Sequence, residues 1–317
     1  MIPKVAIEVH PEVATALGQG RAVVALESTL IAHGLPRPLN LETARQLEEA
    51  VRAEGAVPAT IGVWRGRPIV GLSQPALEEM ATGDQVMKAS RRDLAVAVVQ
   101  GKTAATTVAA TMFLAHLAGI RVFATGGIGG VHRSFSPLPS RERGGGEGAD
   151  VSADLTELAR TPVAVVCAGA KGILDIPRTL EMLETLGVPV IGWQTDEFPA
   201  FYVHSSGEKV QVRLDRAEPV AAFLSAHWEL HGGGVVVAQS VAADVALEPA
   251  EFEAALAEAE KLARASGVKG KQVTPFLLAR LAELTGGKTL RANQSLAIAN
   301  ARLAARIAME LAGVPQP

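Results

Sequence analysis

The sequence predicts an α/β fold in which helices cover both faces of a mixed sheet, and three observations predict it. Short β-branched runs alternate with Ala- and Leu-rich segments along the chain. A tight turn at Arg65-Gly66 separates two such runs, which makes a hairpin and so an antiparallel pair within the sheet. Aromatic residues are 4% of the chain while hydrophobic residues are 48%, so a large core is built from Ala, Val, Leu and Ile.

In chain order, Val23 to Leu26 is predicted as a strand and Leu41 to Glu54 as a helix with charges on one face. Val57 to Val63 and Pro68 to Leu72 form the hairpin. Thr106 to Leu117 is predicted as a buried helix and Val122 to Ala124 as the next strand. Pro162 to Cys167, Pro189 to Trp193 and Val235 to Ala238 are further strands. Asp175 to Leu186, Glu218 to Leu230, Pro249 to Ala265 and Thr274 to Leu284 are predicted helices. Between Arg291 and Leu311, residues Asn293, Leu296, Asn300, Leu303, Ile307 and Leu311 recur every three or four positions and share one helix face. Two asparagines on that apolar stripe need partners: either backbone groups or, for Asn293 near the helix start, a ligand. The segment at about 134–148, rich in Pro, Ser and Gly, is expected to be a surface loop. The flanking segments continue one pattern, so residues 1–317 are expected to form a single domain.

Composition narrows the function. A net charge of −3 argues against a nucleic-acid polymer as partner, while local lysines still suit a small anionic substrate. The single Cys167 lies in an apolar run and is expected to be a buried, inert thiol. The start of the chain lacks the basic and apolar regions of a secretion signal, and no uncharged apolar run reaches membrane-spanning length. The expected compartment is the cytoplasm, with no membrane partner.

Four clusters can carry chemistry. In "VVCAGAKGILDI", Lys171 follows a core strand between small residues; it is either solvated at a rim or desolvated in a cleft, where a neutral amine is a nucleophile. In "ALESTLIAHG", Glu27 directly follows a strand. It is either a capping or salt-bridged residue, or a general acid at the strand end where α/β proteins gather ligands. In "ATGGIGGVHR", the glycines permit close approach of backbone to a ligand, or simply a flexible turn; the spacing is neither a dinucleotide fingerprint nor a phosphate-binding P-loop. In "ADVSADLTEL", Ser152 can cap a helix with Asp154 and Glu157 in its first turns. That account leaves Asp150 free to hold Mg²⁺ or Mn²⁺ with water. Beside these, "MKASRRD" offers Lys88, Arg91 and Arg92 to a phosphate, or to solvent.

Together these stretches, with "GAVPATIGVWRGRPIVGL", "ATTVAATM", "LETLGVPVIGWQTDEFPAF" and "ANQSLAIANARLA", occur in one order over nearly the whole chain. In them the sequence resembles the pseudouridine-5′-phosphate glycosidases, the indigoidine synthase A-like family. The resemblance implies a three-layer α/β/α sandwich assembled as a homotrimer. It implies reversible cleavage of pseudouridine 5′-phosphate to uracil and ribose 5-phosphate with a divalent metal, Mn²⁺. By motif it implies Glu27 as proton donor, Lys171 as nucleophile and Asp150 as metal ligand. It implies Lys88, Val108, Ser152, Ala153, Asp154 and Asn293 as substrate contacts. Two other readings use the same residues: a phosphosugar aldolase working through a Lys171 Schiff base, and a non-catalytic phosphometabolite sensor.

Overall fold

The computed structural model describes residues 6–133, 150–268 and 273–313. The chain begins with β1 (Glu8–Val9), α1 (Pro11–Gly18), β2 (Val23–Glu27) and α2 (Leu39–Ala53). β3 (Val57–Trp64) and β4 (Arg67–Val70) follow, then α3 (Gln74–Thr82), β5 (Met87–Ala89), α4 (Leu94–Val99) and β6 (Ala104–Thr106). The middle holds α5 (Val108–Leu117), β7 (Val122–Ala124), β8 (Val131–His132), α6 (Ala153–Leu158), β9 (Ala164–Cys167), β10 (Leu174–Asp175) and α7 (Ile176–Thr185). The remainder is β11 (Val190–Trp193), β12 (Val212–Leu214), α8 (Ala217–Glu229), β13 (Val235–Gln239), α9 (Pro249–Ala265), α10 (Val273–Leu284) and α11 (Lys288–Gly313).

The main sheet runs β1-β4-β3-β2-β7-β9-β13-β11-β12, with β6 joined to β3 and β5 to β6. Its pairs are parallel except β3 with β4 and β3 with β6, so the sheet is mixed as expected. Arg65 and Gly66, at φ 50° and 79°, both occupy the left-handed region, which is what a two-residue hairpin turn needs. A Cβ on Gly66 would lie 2.8 Å from the Gly101 Cα, so glycine also solves a close approach there. A separate pair, β8 with β10, is antiparallel.

Helices pack around the sheet to complete the α/β/α sandwich. α11 lies against α2 and α8 and over β2, β7 and β9. It can approach closely because its buried face is largely alanine: Ala292, Ala297, Ala301, Ala304, Ala305 and Ala308. α5 packs on α6 and against β2 and β3. β9 is wholly buried, with no residue larger than valine. Cys167 at its end is buried and unpaired, and burial pushes its thiol up to about 12, the inert state expected for it.

One boundary moves. The apolar run from Thr106 reads as a single helix, but Ala104–Thr106 is a strand and the helix starts at Val108. The Thr106 hydroxyl donates to the Ile61 carbonyl and its N–H to the Ser28 hydroxyl, so a buried polar network fixes the break. The Pro/Ser/Gly-rich segment expected as a loop lies outside the described residues.

Candidate active site

β2 is flanked by β3, which follows it in the chain, and by β7, which comes much later. The strand order reverses between β2 and β7, and ligands gather beyond the carboxyl ends of strands at such a point. Three residues converge there. Glu27 ends β2, Thr125 follows β7, and Lys171 lies four residues past the end of β9. One pocket is lined by Glu27, Lys88, Lys171 and Asn293, together with Thr29, His33, Gly126, Gly127, Phe201 and the start of α10.

Glu27 is only 5% exposed. Its two oxygens each accept from a threonine hydroxyl at 2.7 Å, Oε2 from Thr29 and Oε1 from Thr125. These bonds fix the plane of the carboxyl group. Asn300, fully buried on α11, donates from Nδ2 to the Thr125 carbonyl at 2.8 Å and so holds the residue that holds Glu27. Asn293, a further two turns toward the start of α11, lines the pocket, and its buried Oδ1 has no partner among the described residues. The Asn300 Oδ1 is likewise buried without a partner among the described residues, so the two asparagines differ in place: Asn300 braces Thr125 and Asn293 lines the pocket.

Lys171 is half-buried. Its backbone N–H donates to the Ile128 carbonyl at 3.0 Å, tying the lysine loop to the glycine loop. Gly169, at φ 80°, turns the chain out of β9; a Cβ there would sit 2.3 Å from the Pro199 carbonyl oxygen.

The glycine loop makes its close approaches to protein rather than to open space. A Cβ on Gly127 would lie 2.6 Å from the Phe201 ring, and one on Gly129 would lie 2.2 Å from the Ser152 hydroxyl. The Ile128, Gly129 and Val131 N–H groups donate to Gly169, Asp154 and Thr179. Asp154 is the clamp. Buried at 5% exposure, it accepts from Gly129 N–H through Oδ2 and from Ala109 N–H through Oδ1, both at 2.9 Å. Ser152 caps α6 by accepting from Asp154 N–H, as its spacing predicts, and Ala153 opens that helix. Val108 opens α5 and is buried. Ser152 and Asp154 thus brace the glycine loop, while Val108 and Ala153 open the two helices whose first turns Asp154 joins through the Ala109 N–H.

Asp150 is exposed, and its carbonyl accepts from the His132 N–H at 2.9 Å. Burial lowers the His132 pKa, the Asp150 charge raises it, and Lys171 and Lys88 lower it further, so all three charges act on one ring. No group of three or more His, Cys, Asp or Glu side chains among the described residues could hold a metal by itself. Of the expected phosphate cluster, Lys88 reaches the pocket. Arg91 pairs instead with buried Glu157 at 2.9 Å, and Arg92 lies 3.8 Å from Asp93.

Sequence reasoning assigned no role to Thr29, His33, Thr125, His132 or Phe201. His33 and His132 stand inside the quoted motifs, and Phe201 carries a signal visible only in the backbone: φ 63° in a bulky residue, a strained conformation met chiefly at functional positions. For His33, burial and then the Lys88 charge lower the pKa, against a hydrogen bond to the Met87 backbone that raises it. The folded protein therefore binds this proton less well than the unfolded chain does. That stabilisation is complete above the unfolded value of about 6.5 and is lost as pH falls through it toward the lower folded value. His33→Gln removes the dependence. The melting-temperature gap between the unsubstituted protein and the variant is expected to narrow between about pH 7.5 and about pH 5. A gap that stays constant across that range would contradict the assignment.

Comparison with known proteins places this geometry. A pseudouridine-5′-phosphate glycosidase from Solibacter usitatus is 54% identical over 306 residues, covering 96% of this chain and 99% of its own. One from Caldanaerobacter subterraneus subsp. tengcongensis is 52% identical over 306 residues, covering 96% of each. Among solved structures, the prealnumycin C-glycosynthase AlnA, in complex with ribulose 5-phosphate, superimposes with a TM-score of 0.86 at 40% identity, over 98% of both chains. An indigoidine synthase A-like protein from Thermotoga maritima gives 0.84 at 38% identity, over 97% of both. The model of the family described as Indigoidine synthase A like protein matches residues 12–310, and the chain belongs to that family.

Proposed function

We propose that the protein is a pseudouridine-5′-phosphate glycosidase, which reversibly converts pseudouridine 5′-phosphate and water to uracil and ribose 5-phosphate. The observation that carries this reading is a carboxyl group and a primary amine, Glu27 and Lys171, facing one pocket from the ends of two core strands. Relatives of that name, about half identical over nearly their whole length, support it, as does a C-glycosynthase of the same fold solved with a phosphopentose.

The chemistry explains the pair. The base is joined through carbon, and a departing uracil carbanion is a poor leaving group, so direct hydrolysis is a poor route. In our reading Glu27 gives a proton to the ring oxygen as the C1′–O bond breaks, and the sugar opens. The neutral amine of Lys171 forms a bond to C1′ and loses a proton. A proton then adds to carbon 5 of uracil. The C1′–C5 bond breaks, its electrons staying with uracil, while the nitrogen lone pair forms the C=N bond of an imine between Lys171 and ribose 5-phosphate. Water adds to that imine and expels the amine, regenerating Lys171. Lys88 binds the phosphate, and the Asn293 amide contacts the substrate. Ser152, Ala153, Asp154 and Val108 contact the substrate in this reading, with Ser152 and Asp154 also bracing the glycine loop.

Asp150 fits a hard cation such as Mn²⁺ through one exposed carboxylate, with water and substrate oxygens supplying the rest of the shell. When bound, the ion orients water and polar groups around the base. Asp150→Ala is expected to leave activity indifferent to added Mn²⁺; full activity of the unsubstituted protein after exhaustive chelation would remove the metal from this reading. We further read the protein as a cytoplasmic homotrimer, which sedimentation equilibrium tests. No helix among the described residues is long and apolar enough to cross a membrane.

The deciding experiment incubates the protein with pseudouridine 5′-phosphate and Mn²⁺ and measures free uracil. An aldolase would give cleaved phosphosugar without uracil, and a sensor would bind without turnover.

A further inference from the structure

Glu27, Lys88 and Lys171 each have a task in the reading above, and His33, in the same pocket, has none. Its backbone is unusual. After β2 ends at Glu27 the chain passes through a tight turn, in which the Ser28 carbonyl accepts from the Ile31 and Ala32 N–H groups, into a widened helical turn, Leu30–Gly34. Such widened turns are rare and recur at functional sites. This one places His33 in the pocket that the end of its own strand lines.

The ring nitrogen Nε2 is buried and finds no hydrogen-bond partner among the described residues. Buried polar atoms are nearly always partnered, so this one calls for an explanation. The Met87 backbone lies beside the ring and favours a proton on it, as a carbonyl facing the ring's other nitrogen, Nδ1, would. A neutral imidazole that donates through Nδ1 presents a lone pair at Nε2. Burial and the neighbouring Lys88 charge both disfavour a second proton on the ring. The missing partner must therefore be a donor. Phosphate oxygens have no proton to give at neutral pH, and no Glu27 oxygen lies within hydrogen-bond distance of Nε2. If Lys88 marks the phosphate end and Lys171 marks C1′, the base lies beyond C1′. An acceptor beside Lys88 then meets the sugar hydroxyls before any N–H of uracil.

We infer that His33 Nε2 accepts a hydrogen bond from a ribose hydroxyl of the substrate and makes the pocket select the hydroxylated sugar over its deoxy analogue. The inference rests on the phosphopentose reading above. The test compares kcat/KM for pseudouridine 5′-phosphate and its 2′-deoxy and 3′-deoxy analogues in the unsubstituted protein, His33→Ala and His33→Gln. The unsubstituted protein is expected to lose about 10- to 100-fold on one analogue, whose identity names the hydroxyl. His33→Ala is expected to bring that ratio close to one, and His33→Gln, whose amide oxygen accepts, to restore part of it. Nitrogen NMR of the unsubstituted protein labelled at histidine covers the case in which the variants do not fold. It should find an unprotonated Nε2 whose signal moves on adding ribose 5-phosphate and not on adding the deoxy sugar phosphate. A ratio unchanged in His33→Ala, or a protonated Nε2 in the free protein, would overturn the inference. Absence of uracil from the unsubstituted protein would instead overturn the function on which it rests.

Discussion

Lys171→Ala is expected to lower turnover by roughly 10⁴-fold or more, because removal of a covalent nucleophile leaves only binding and polarisation. The fold should survive, since the side chain is half-buried and the loop is held by the Lys171 backbone N–H and by Gly169. Borohydride added during reaction with ribose 5-phosphate should reduce the imine and add mass to the peptide containing Lys171, and to no peptide of the variant. Lys171→Arg keeps the charge but not a nucleophilic amine, and should be as inactive as the alanine variant. Appreciable turnover in either variant, with no trapped adduct in the unsubstituted protein, would rule out the covalent route.

Asp154→Ala is expected to have the largest effect on stability. It leaves the Gly129 and Ala109 N–H groups buried without an acceptor, at about 1–3 kcal/mol each. The melting temperature should fall by roughly 3–9 °C in a chain of this size. Asp154→Asn retains one acceptor and should fall by less. Kinetics below the transition separate this clamp from a direct role in binding. A clamp alone predicts lower kcat from a displaced glycine loop, and a substrate contact predicts raised KM at nearly unchanged kcat. An unshifted melting curve for Asp154→Ala would show that the two bonds contribute little.

Much of the fold was legible because its long elements carry clear periodicity. The α11 stripe and the Arg65-Gly66 hairpin came directly from spacing and turn chemistry. β1, β5, β6, β8, β10 and β12 were not legible, since strands of two or three residues carry no measurable period; β7, as short, was found only from its place between a predicted helix and the glycine run. Thr106 was absorbed into a helix because a short apolar run next to a buried helix looks like part of it. At the site, Glu27 and Lys171 were visible as charges at strand ends. The threonines that grip Glu27 were not, because Thr125 meets it only through the pairing of β2 with β7. His33 was hidden for another reason: normal helical spacing does not reveal a widened turn.

Helix α11 has a consequence for synthesis on the ribosome. Glu27 and Lys171 emerge long before Asn293 and Asn300; Thr125 donates its N–H to the Val166 carbonyl, and Asn300 adds a second tie, to the Thr125 carbonyl, only when α11 arrives. A nascent or prematurely terminated chain would therefore carry both reactive groups without the brace that aligns one of them. The last helix to leave the ribosome thus supplies the outermost tie on the residue that grips Glu27.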